Sequence, residues 1–174
     1  MEEYVNRINE VVRNKKDLEN KLNIKINVKG KKVSFDGDSL DEFEAEKVFD
    51  AINFGFSAKK ALLLLNEDSL FRKVHIKDFT KRNDLRAVRA RLIGLHGKTR
   101  KTIEEISGCY LVITDSDVGI IGDAEYIDEA VTAIINLIKG AKQSNTYFFL
   151  ERMNKEKKKP VSLGLIRKQK STEK

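Results

Sequence analysis

The fold of this chain is decided by residues 93–113, which read IGLHGKTRKTIEEISGCYLVI. The G-x-x-G pattern at 94–97 joins a basic segment with helical spacing to a second predicted helix from Thr99 to Ser107. Gly108 stands where a helix C-cap is expected, and an apolar strand is predicted from Cys109 to Ile113. A G-x-x-G alone arises often by chance, so the prediction rests on the order helix, loop, helix, strand.

The loop and its flanks have the chemistry of a phosphate clamp. Gly94 and Gly97 have no Cβ, so their backbone can approach a sugar–phosphate chain closely. The helix that follows directs free N–H groups and the positive end of its dipole at the same place, and Lys98 and Arg100 add formal charge. We therefore predict a clamp for a few single-stranded nucleotides, whose bases are read in the groove between the loop and the following strand.

The clamp prediction names specific residues and leaves two points open. The predicted RNA-binding residues are Arg89, Arg91, Ile93, Gly94, Leu95, His96, Gly97, Lys98, Thr99, Arg100 and Lys101. The variable position His96 either contacts a base or is solvated. A tight connection between two helices, with incidental lysines, is the alternative to a clamp.

A nucleotide-binding P-loop is excluded, although Gly97, Lys98 and Thr99 read like the end of one. That motif needs a glycine five positions before Gly97, where this chain has Leu92. It also needs a buried strand before the loop, whereas the preceding segment is a basic helix. We predict no nucleotide triphosphatase.

An internal repeat organises the chain. Sliding the sequence along itself until Val33 falls on Val118 also places Gly37-Asp38 on Gly122-Asp123, Glu44-Ala45 on Glu129-Ala130 and Gly55 on Gly140, without a gap. Both copies read strand, turn, strand, helix. The sequence therefore predicts an α+β protein built from two copies of one small unit. Between the copies we predict a helix at 57–65, a strand at 70–76 and a helix from about 83 to 92, with a final helix near 146–150.

Charge is concentrated near the predicted clamp. Residues 1–70 carry 12 Lys and Arg against 14 Asp and Glu, whereas positions 72–101 hold 11 basic residues against two acidic ones. Such a basic segment favours polyanions, most often a phosphate backbone. A solvated, lysine-rich surface explains the charge equally well, so charge alone does not decide.

Composition excludes several classes of protein. A hydrophobic fraction of 40% with 35% charged residues is typical of a folded chain in water. Cys109 is the single cysteine, and one cysteine with two histidines cannot build a four-ligand zinc site or an intrachain disulfide. The longest apolar run, 61–65, is too short for a membrane span, and the acidic start lacks a secretory signal. We expect no membrane association.

The quoted stretch resembles a KH domain. Arg100 stands where most KH domains have an apolar residue, and this variant, together with VGIIGD at 118–123 and TYFFLER at 146–152, resembles the archaeal members of the partner-of-Nob family. The resemblance covers nearly the whole chain and implies two tandem KH-type domains, each a three-stranded sheet packed by helices. It further implies binding near the 3′ end of small-subunit ribosomal RNA, assistance in its maturation, and a role in assembly of that subunit. The partners it implies are a Nob-type endonuclease and the α subunit of translation initiation factor two.

The two copies are predicted to differ in function. At the offset of the repeat, Gly94 and Gly97 fall on Asn9 and Val12, and too few residues precede Ile8 to match the leading strand and helix of the second copy. We therefore predict a degenerate KH-like domain at 1–70 that serves packing or protein contacts, a KH domain with the G-x-x-G loop at 71–150, and a basic, flexible tail at 151–174.

We expect no enzyme, metal or cofactor. Asp115, Asp117 and Asp123 stand where turns and helix caps favour aspartate, and His75 is interpreted as structural. Two other functions remain open: a KH protein acting in RNA decay or in mRNA and translation regulation, and a mainly protein-binding scaffold. The absence of a long N-terminal extension favours an archaeal, cytoplasmic protein.

Overall fold

The computed structural model describes residues 2–157 as two antiparallel three-stranded sheets with helices. The first unit contains β1 (Glu2–Tyr4), α1 (Ile8–Arg13), α2 (Lys15–Leu22), β2 (Lys25–Lys29), β3 (Lys32–Asp36) and α3 (Ser39–Phe54). A linking segment contains α4 (Ala58–Ala61) and a 3₁₀ turn (Leu62–Leu65). The second unit contains β4 (Ser69–His75), a 3₁₀ turn (Ile76–Phe79), α5 (Arg86–Ile93), α6 (Lys98–Ser107), β5 (Tyr110–Ile113), β6 (Asp117–Asp123), α7 (Ile127–Lys139) and α8 (Gln143–Lys157).

Both sheets have the same topology, which confirms the predicted α+β class and element order. The strand orders are β1-β3-β2 and β4-β6-β5, with every pair antiparallel. The two units also share a side-chain contact at equivalent positions of the repeat. Glu19 Oε1 accepts the backbone N–H of Ile26 in the first unit, and Glu104 Oε1 accepts that of Leu111 in the second, both at 2.8 Å. The same carboxylate therefore ties helix to strand in each unit.

The start of the first unit corrects one prediction. A leading strand and helix do form there, because β1 pairs with β3 and α1 follows it. Glu3 pairs with Val33, whereas Val74 pairs with the equivalent Val118. The chain from Glu3 to Val33 is much shorter than the chain from Val74 to Val118, although the two segments connect equivalent pairs of strands, β1 with β3 and β4 with β6. The first unit thus reaches the same sheet with a shorter connection between its leading strand and α2.

Three helices begin or end at residues other than the predicted ones. The predicted helix at 57–65 is one α-helical turn followed by a 3₁₀ turn. Helix α5 begins at Arg86 rather than near 83, because Asp84 Oδ1 accepts the Arg86 N–H at 2.9 Å. Helix α8 extends to Lys157, into the segment predicted as the tail, and residues 158–174 lie outside the described residues.

Each unit has its own apolar core, and β6 connects the two. Phe35 stacks on Phe49 in the first core, with ring centroids 5.2 Å apart. In β6, Val118 and Ile120 belong to the second core, whereas Ile121 packs in the first one. A Cβ on the neighbouring Gly119 would lie 2.4 Å from the Phe54 ring. The sequence also contains a G-x-x-G at 119–122, and close packing within a strand covered on both faces explains it.

No helix between residues 2 and 157 has the length and apolar character needed to cross a membrane.

Candidate nucleic-acid interface

The glycine loop is a tight turn between α5 and α6. The Gly94 N–H donates to Ala90 O at 2.8 Å, and the Gly97 N–H donates to Gly94 O at 3.1 Å. Positive φ angles of 73°, 51° and 75° occur at Gly94, His96 and Gly97. This backbone places Leu95 and His96 at the tip of the turn, where Leu95 is 79% exposed. The loop thus presents backbone and two side chains to solvent.

A groove runs beside the loop, between α5 and the end of β5. Its lining residues are Arg86, Arg89, Ala90, Ile93, Ile113, Thr114 and Asp115. Seven helical steps separate Arg86 from Ile93, so the helical wall is about 11 Å long. The Arg89 guanidinium forms an ion pair with the Asp115 carboxylate across this groove. The middle of the groove therefore combines apolar surface with a balanced pair of charges.

The other side of the loop is cationic. Lys98 and Lys101 are exposed on α6, and they surround a shallow pocket together with Leu95, His96, Thr102 and Glu105, so two cations stand against one carboxylate. Arg100 is less available, because its Nε lies 3.8 Å from Glu104 Oε2 and its side chain is 40% exposed. Free positive charge near the loop tip therefore comes mainly from the two lysines.

Two of the predicted site residues bind neighbouring elements instead of facing solvent. The Arg91 guanidinium donates to Gly140 O and Ala141 O, each at 2.8 Å, where α7 ends. Thr99 is 3% exposed, and its Oγ1 accepts the side-chain N–H of Gln143 at 2.8 Å. Gln143 also donates to Arg91 O at 3.2 Å. These bonds fix both ends of the glycine loop to the α7–α8 junction.

The first unit repeats the arginine contact without having the loop. Arg7 donates to Gly55 O and Phe56 O. These are the repeat equivalents of the two carbonyls that Arg91 binds, although Arg7 itself falls on Leu92, one position from Arg91. The pair Lys15–Glu19, at 3.7 Å, likewise matches Arg100–Glu104. The positions matching Gly94 and Gly97 lie within α1. Since these contacts persist without a loop, they belong to the fold of each unit.

Sequence reasoning did not find the role of Gln143, which lies 44 residues from Thr99, nor the partner of Arg89. No local pattern marks either contact, because each joins elements that only folding brings together. Asp115 was assigned to a turn, and it does lie in the β5–β6 turn while pairing with Arg89.

The acidic residues near the second sheet are engaged in turns and pairs. Asp123 Oδ1 accepts the Glu125 N–H at 2.7 Å, and Asp117 Oδ1 lies 2.8 Å from His75 Nδ1 across the strands. That hydrogen bond raises the pKa of His75, and a hydrogen bond from Ser116 lowers the pKa of Asp117. Across residues 2–157, no three His, Cys, Asp or Glu side chains are grouped to hold a metal ion.

Replacing Arg91 by methionine is expected to lower the free energy of unfolding by about 1–2 kcal/mol, since two charge-assisted bonds to carbonyl oxygens are lost. Urea denaturation measures this change. The dependence of RNA affinity on salt should stay that of the wild-type chain, because the guanidinium is bound to the α7 end. A salt slope lowered by about 0.7, the value for one phosphate contact on a single strand, would show that Arg91 binds RNA.

A family model for the second KH domain of PNO1, described as a eukaryotic-type KH domain (KH domain type I), matches residues 70–155. A KH domain-containing protein of Methanocaldococcus jannaschii is 31% identical over 145 residues, covering 79% of this chain and 64% of that protein. The pre-rRNA-processing protein pno1 of Emericella nidulans is 31% identical over 142 residues, covering 76% and 55%. The match therefore spans a little over half to about two thirds of these relatives' lengths.

Solved structures are similar over most of the chain. The crystal structure of Dim2p from Pyrococcus horikoshii has a TM-score of 0.76 and 33% identity, covering 87% of this chain and 99% of that one. A chain in the crystal structure of the a/eIF2alpha–aDim2p–rRNA complex from the same organism has a TM-score of 0.77 and 33% identity, covering 90% and 95%. This likeness covers most of the chain, whereas the family model matches only residues 70–155.

Proposed function

The chain belongs to the KH-domain family of PNO1 and archaeal Dim2p, and on that premise we propose that it is a single-stranded RNA-binding factor of small-ribosomal-subunit assembly. Its RNA is the region near the 3′ end of small-subunit rRNA, whose maturation it assists. One observation carries this proposal: a glycine loop with an exposed tip lies between a groove and a cationic helix face. The relatives' names, which include RNA-binding and pre-rRNA-processing proteins, support it.

In the proposed mechanism the loop holds the RNA backbone and the groove reads the bases. The backbone at Gly94–Gly97 approaches the sugar–phosphate chain, while Lys98 and Lys101 neutralise phosphates. Bases turn onto Ile93 and the groove wall, where Arg89 can donate to a base edge. Arg91 and Thr99 act indirectly, since their bonds hold the loop in its conformation.

The domain division is also part of the proposal. We assign residues 1–70 to a degenerate KH-like domain, 71–150 to the RNA-binding KH domain and 151–174 to a basic tail. The matching of Asn9 and Val12 to the loop glycines supports the first assignment, because both lie in α1 and the backbone there is helical. Arg13 and Lys16 keep positive charge at the positions of Lys98 and Lys101, without a loop beside them.

The proposed partners follow from the family. The rRNA and initiation-factor α subunit named for the Pyrococcus complex are proposed for this chain as well, and a Nob-type endonuclease is proposed to cut the RNA that the chain holds. We propose no catalytic activity and no cofactor for the chain itself, and we place its action in the cytoplasm. A KH protein of RNA decay or mRNA regulation, and a protein-binding scaffold, are the competing functions.

The test is binding of an oligonucleotide from the small-subunit rRNA 3′ end across a salt series. We expect wild-type affinity to fall steeply with salt, and Lys98→Ser/Lys101→Ser to reduce the logarithmic slope by about 1.4, since each lost contact to a single-stranded phosphate removes about 0.7. The matched control, Lys31→Ser/Lys32→Ser, removes equal charge from exposed residues in the β2–β3 turn and at the start of β3 in the first unit.

Each competing function has its own outcome in this experiment. Equal affinity for a permuted oligonucleotide would favour a KH protein acting on other RNAs. Weak binding that does not depend on salt would favour the scaffold. An equal loss of slope in the control variant would move the RNA contact away from the glycine loop.

A further inference from the structure

We propose a second phosphate-binding site at the end of the groove opposite the glycine loop, formed by Lys81, Arg82 and Arg86. It would hold the backbone of single-stranded RNA that extends beyond the nucleotides in the clamp. This inference rests on the proposed RNA-binding function and deepens it, because it assigns a contact outside the loop.

The position of these residues follows from the direction of α5. Ile93 lies where the helix meets the glycine loop, and Arg86 lines the same groove at the other end of the helix. The loop at 80–85 leads directly into Arg86. A strand that leaves the groove away from the clamp therefore passes Arg86, about 11 Å along α5 from Ile93, and the loop that precedes Arg86.

The cations at this end make no ion pair within residues 2–157, whereas the charge in the middle of the groove is paired. Lys81, Arg82 and Arg86 are all exposed, and within residues 2–157 no ion pair to a carboxylate occupies any of them. Asp84, the one acidic residue among positions 80–86, accepts the N–H of Arg86. Arg89 pairs with Asp115. Cations outnumber carboxylates at both ends of the groove, with three against Asp84 at this end and Lys98 and Lys101 against Glu105 at the loop, as expected for phosphates anchored on either side of the bases.

The 80–85 loop is held in place through its backbone. Lys77 Nζ donates to Arg82 O at 3.0 Å and to Asn83 Oδ1 at 3.3 Å, and Thr80 Oγ1 accepts the Arg82 N–H at 3.3 Å. The side chains of Lys81 and Arg82 take no part in these bonds. The loop can therefore present both cations to a ligand, and either side chain can be replaced without removing the bonds that order it.

The internal repeat supplies a separate argument. The first unit is shorter than the second in the stretch between its leading strand and α2. The corresponding stretch of the second unit contains both the basic 80–85 loop and the glycine loop. Both features therefore occur in the same unit, the one proposed to bind RNA.

The experiment compares oligonucleotides of two lengths from the rRNA 3′ end, one of five nucleotides and one of fifteen. For Lys81→Ser/Arg82→Ser we expect the short oligonucleotide to bind within twofold of wild type. The long one should bind at least fivefold more weakly, with its salt slope reduced by about 1.4. The short one fills the clamp, since a KH loop holds about four nucleotides. Lys31→Ser/Lys32→Ser, with the same charge change, should leave both affinities near wild type, and thermal unfolding checks that both variants are folded.

Two outcomes would overturn the second site. An unchanged affinity and slope for the long oligonucleotide would show that the 80–85 loop does not contact RNA. Equal losses of affinity for both oligonucleotides would show that the substitutions act on the clamp or on the overall electrostatic field of the protein. A wild-type chain that binds neither oligonucleotide would instead overturn the proposed function itself, and the second site with it.

Discussion

Replacing Leu95 and His96 with aspartate is expected to weaken binding of the rRNA 3′-end oligonucleotide at least tenfold, or about 1.4 kcal/mol. Both residues lie at the tip of the glycine loop, and Leu95 is 79% exposed. Two carboxylates there would face the phosphates that the loop is proposed to hold. Because neither side chain belongs to the core, the repulsion should act on binding and leave the free energy of unfolding nearly unchanged.

Fluorescence anisotropy at two salt concentrations measures this effect, and Ser39→Asp/Leu40→Asp is the matched control. Ser39 and Leu40 are adjacent, exposed residues at the start of α3 in the first unit, so the control adds the same charge far from the loop in sequence. We expect it to bind within twofold of wild type at moderate salt. Unchanged binding by the loop variant would place the RNA on another basic surface. Equal weakening of both variants would indicate a general effect of net charge.

Predictions from the sequence succeeded where the signal was local. The loop at 94–97, the strand at 109–113 and the element order of each repeat copy follow from residues that are neighbours in the chain. Glycine spacing, apolar alternation and helical periodicity report backbone geometry directly. That is why the α+β class and the equivalence of the two sheets could be predicted before any contact was known.

Predictions from the sequence could not assign side chains whose partners are distant. Arg91 stands two positions from Arg89 in a basic helix, yet the two guanidiniums bind the α7 end and the β5–β6 turn respectively. The composition of a basic helix is the same whether its arginines bind other parts of the fold or remain free to bind RNA. The short strand β1 was missed for a similar reason, since Glu2–Tyr4 shows no apolar alternation and becomes a strand only by pairing with β3.

Gly94→Ala is expected to lower the free energy of unfolding by about 2–6 kcal/mol, because both backbone strain and overpacking oppose the added methyl group. Its φ of 73° and ψ of 173° lie in a region that is essentially restricted to glycine, where another residue costs about 1–3 kcal/mol. A Cβ would also lie 2.1 Å from Thr99 Oγ1, and relieving such overpacking costs a further ~1–3 kcal/mol. Urea denaturation measures the loss, and RNA binding should be lost with it because the hydrogen bond from Gln143 to Thr99 shapes the loop.

Gly97→Ala separates the two roles that a loop glycine can have. Gly97 also has a positive φ, of 75°, but among residues 2–157 a Cβ there would meet no atom within 4 Å beyond its two chain neighbours. Its substitution should therefore cost only about 1 kcal/mol of stability, while the added methyl group would stand where RNA backbone is proposed to approach. We expect Gly97→Ala to reduce RNA affinity at least fivefold in a stably folded chain, and Gly94→Ala to act mainly through stability. If Gly97→Ala bound RNA as the wild type does, the open space at Gly97 would not be a phosphate contact. The clamp would then depend on the lysines of α6 alone.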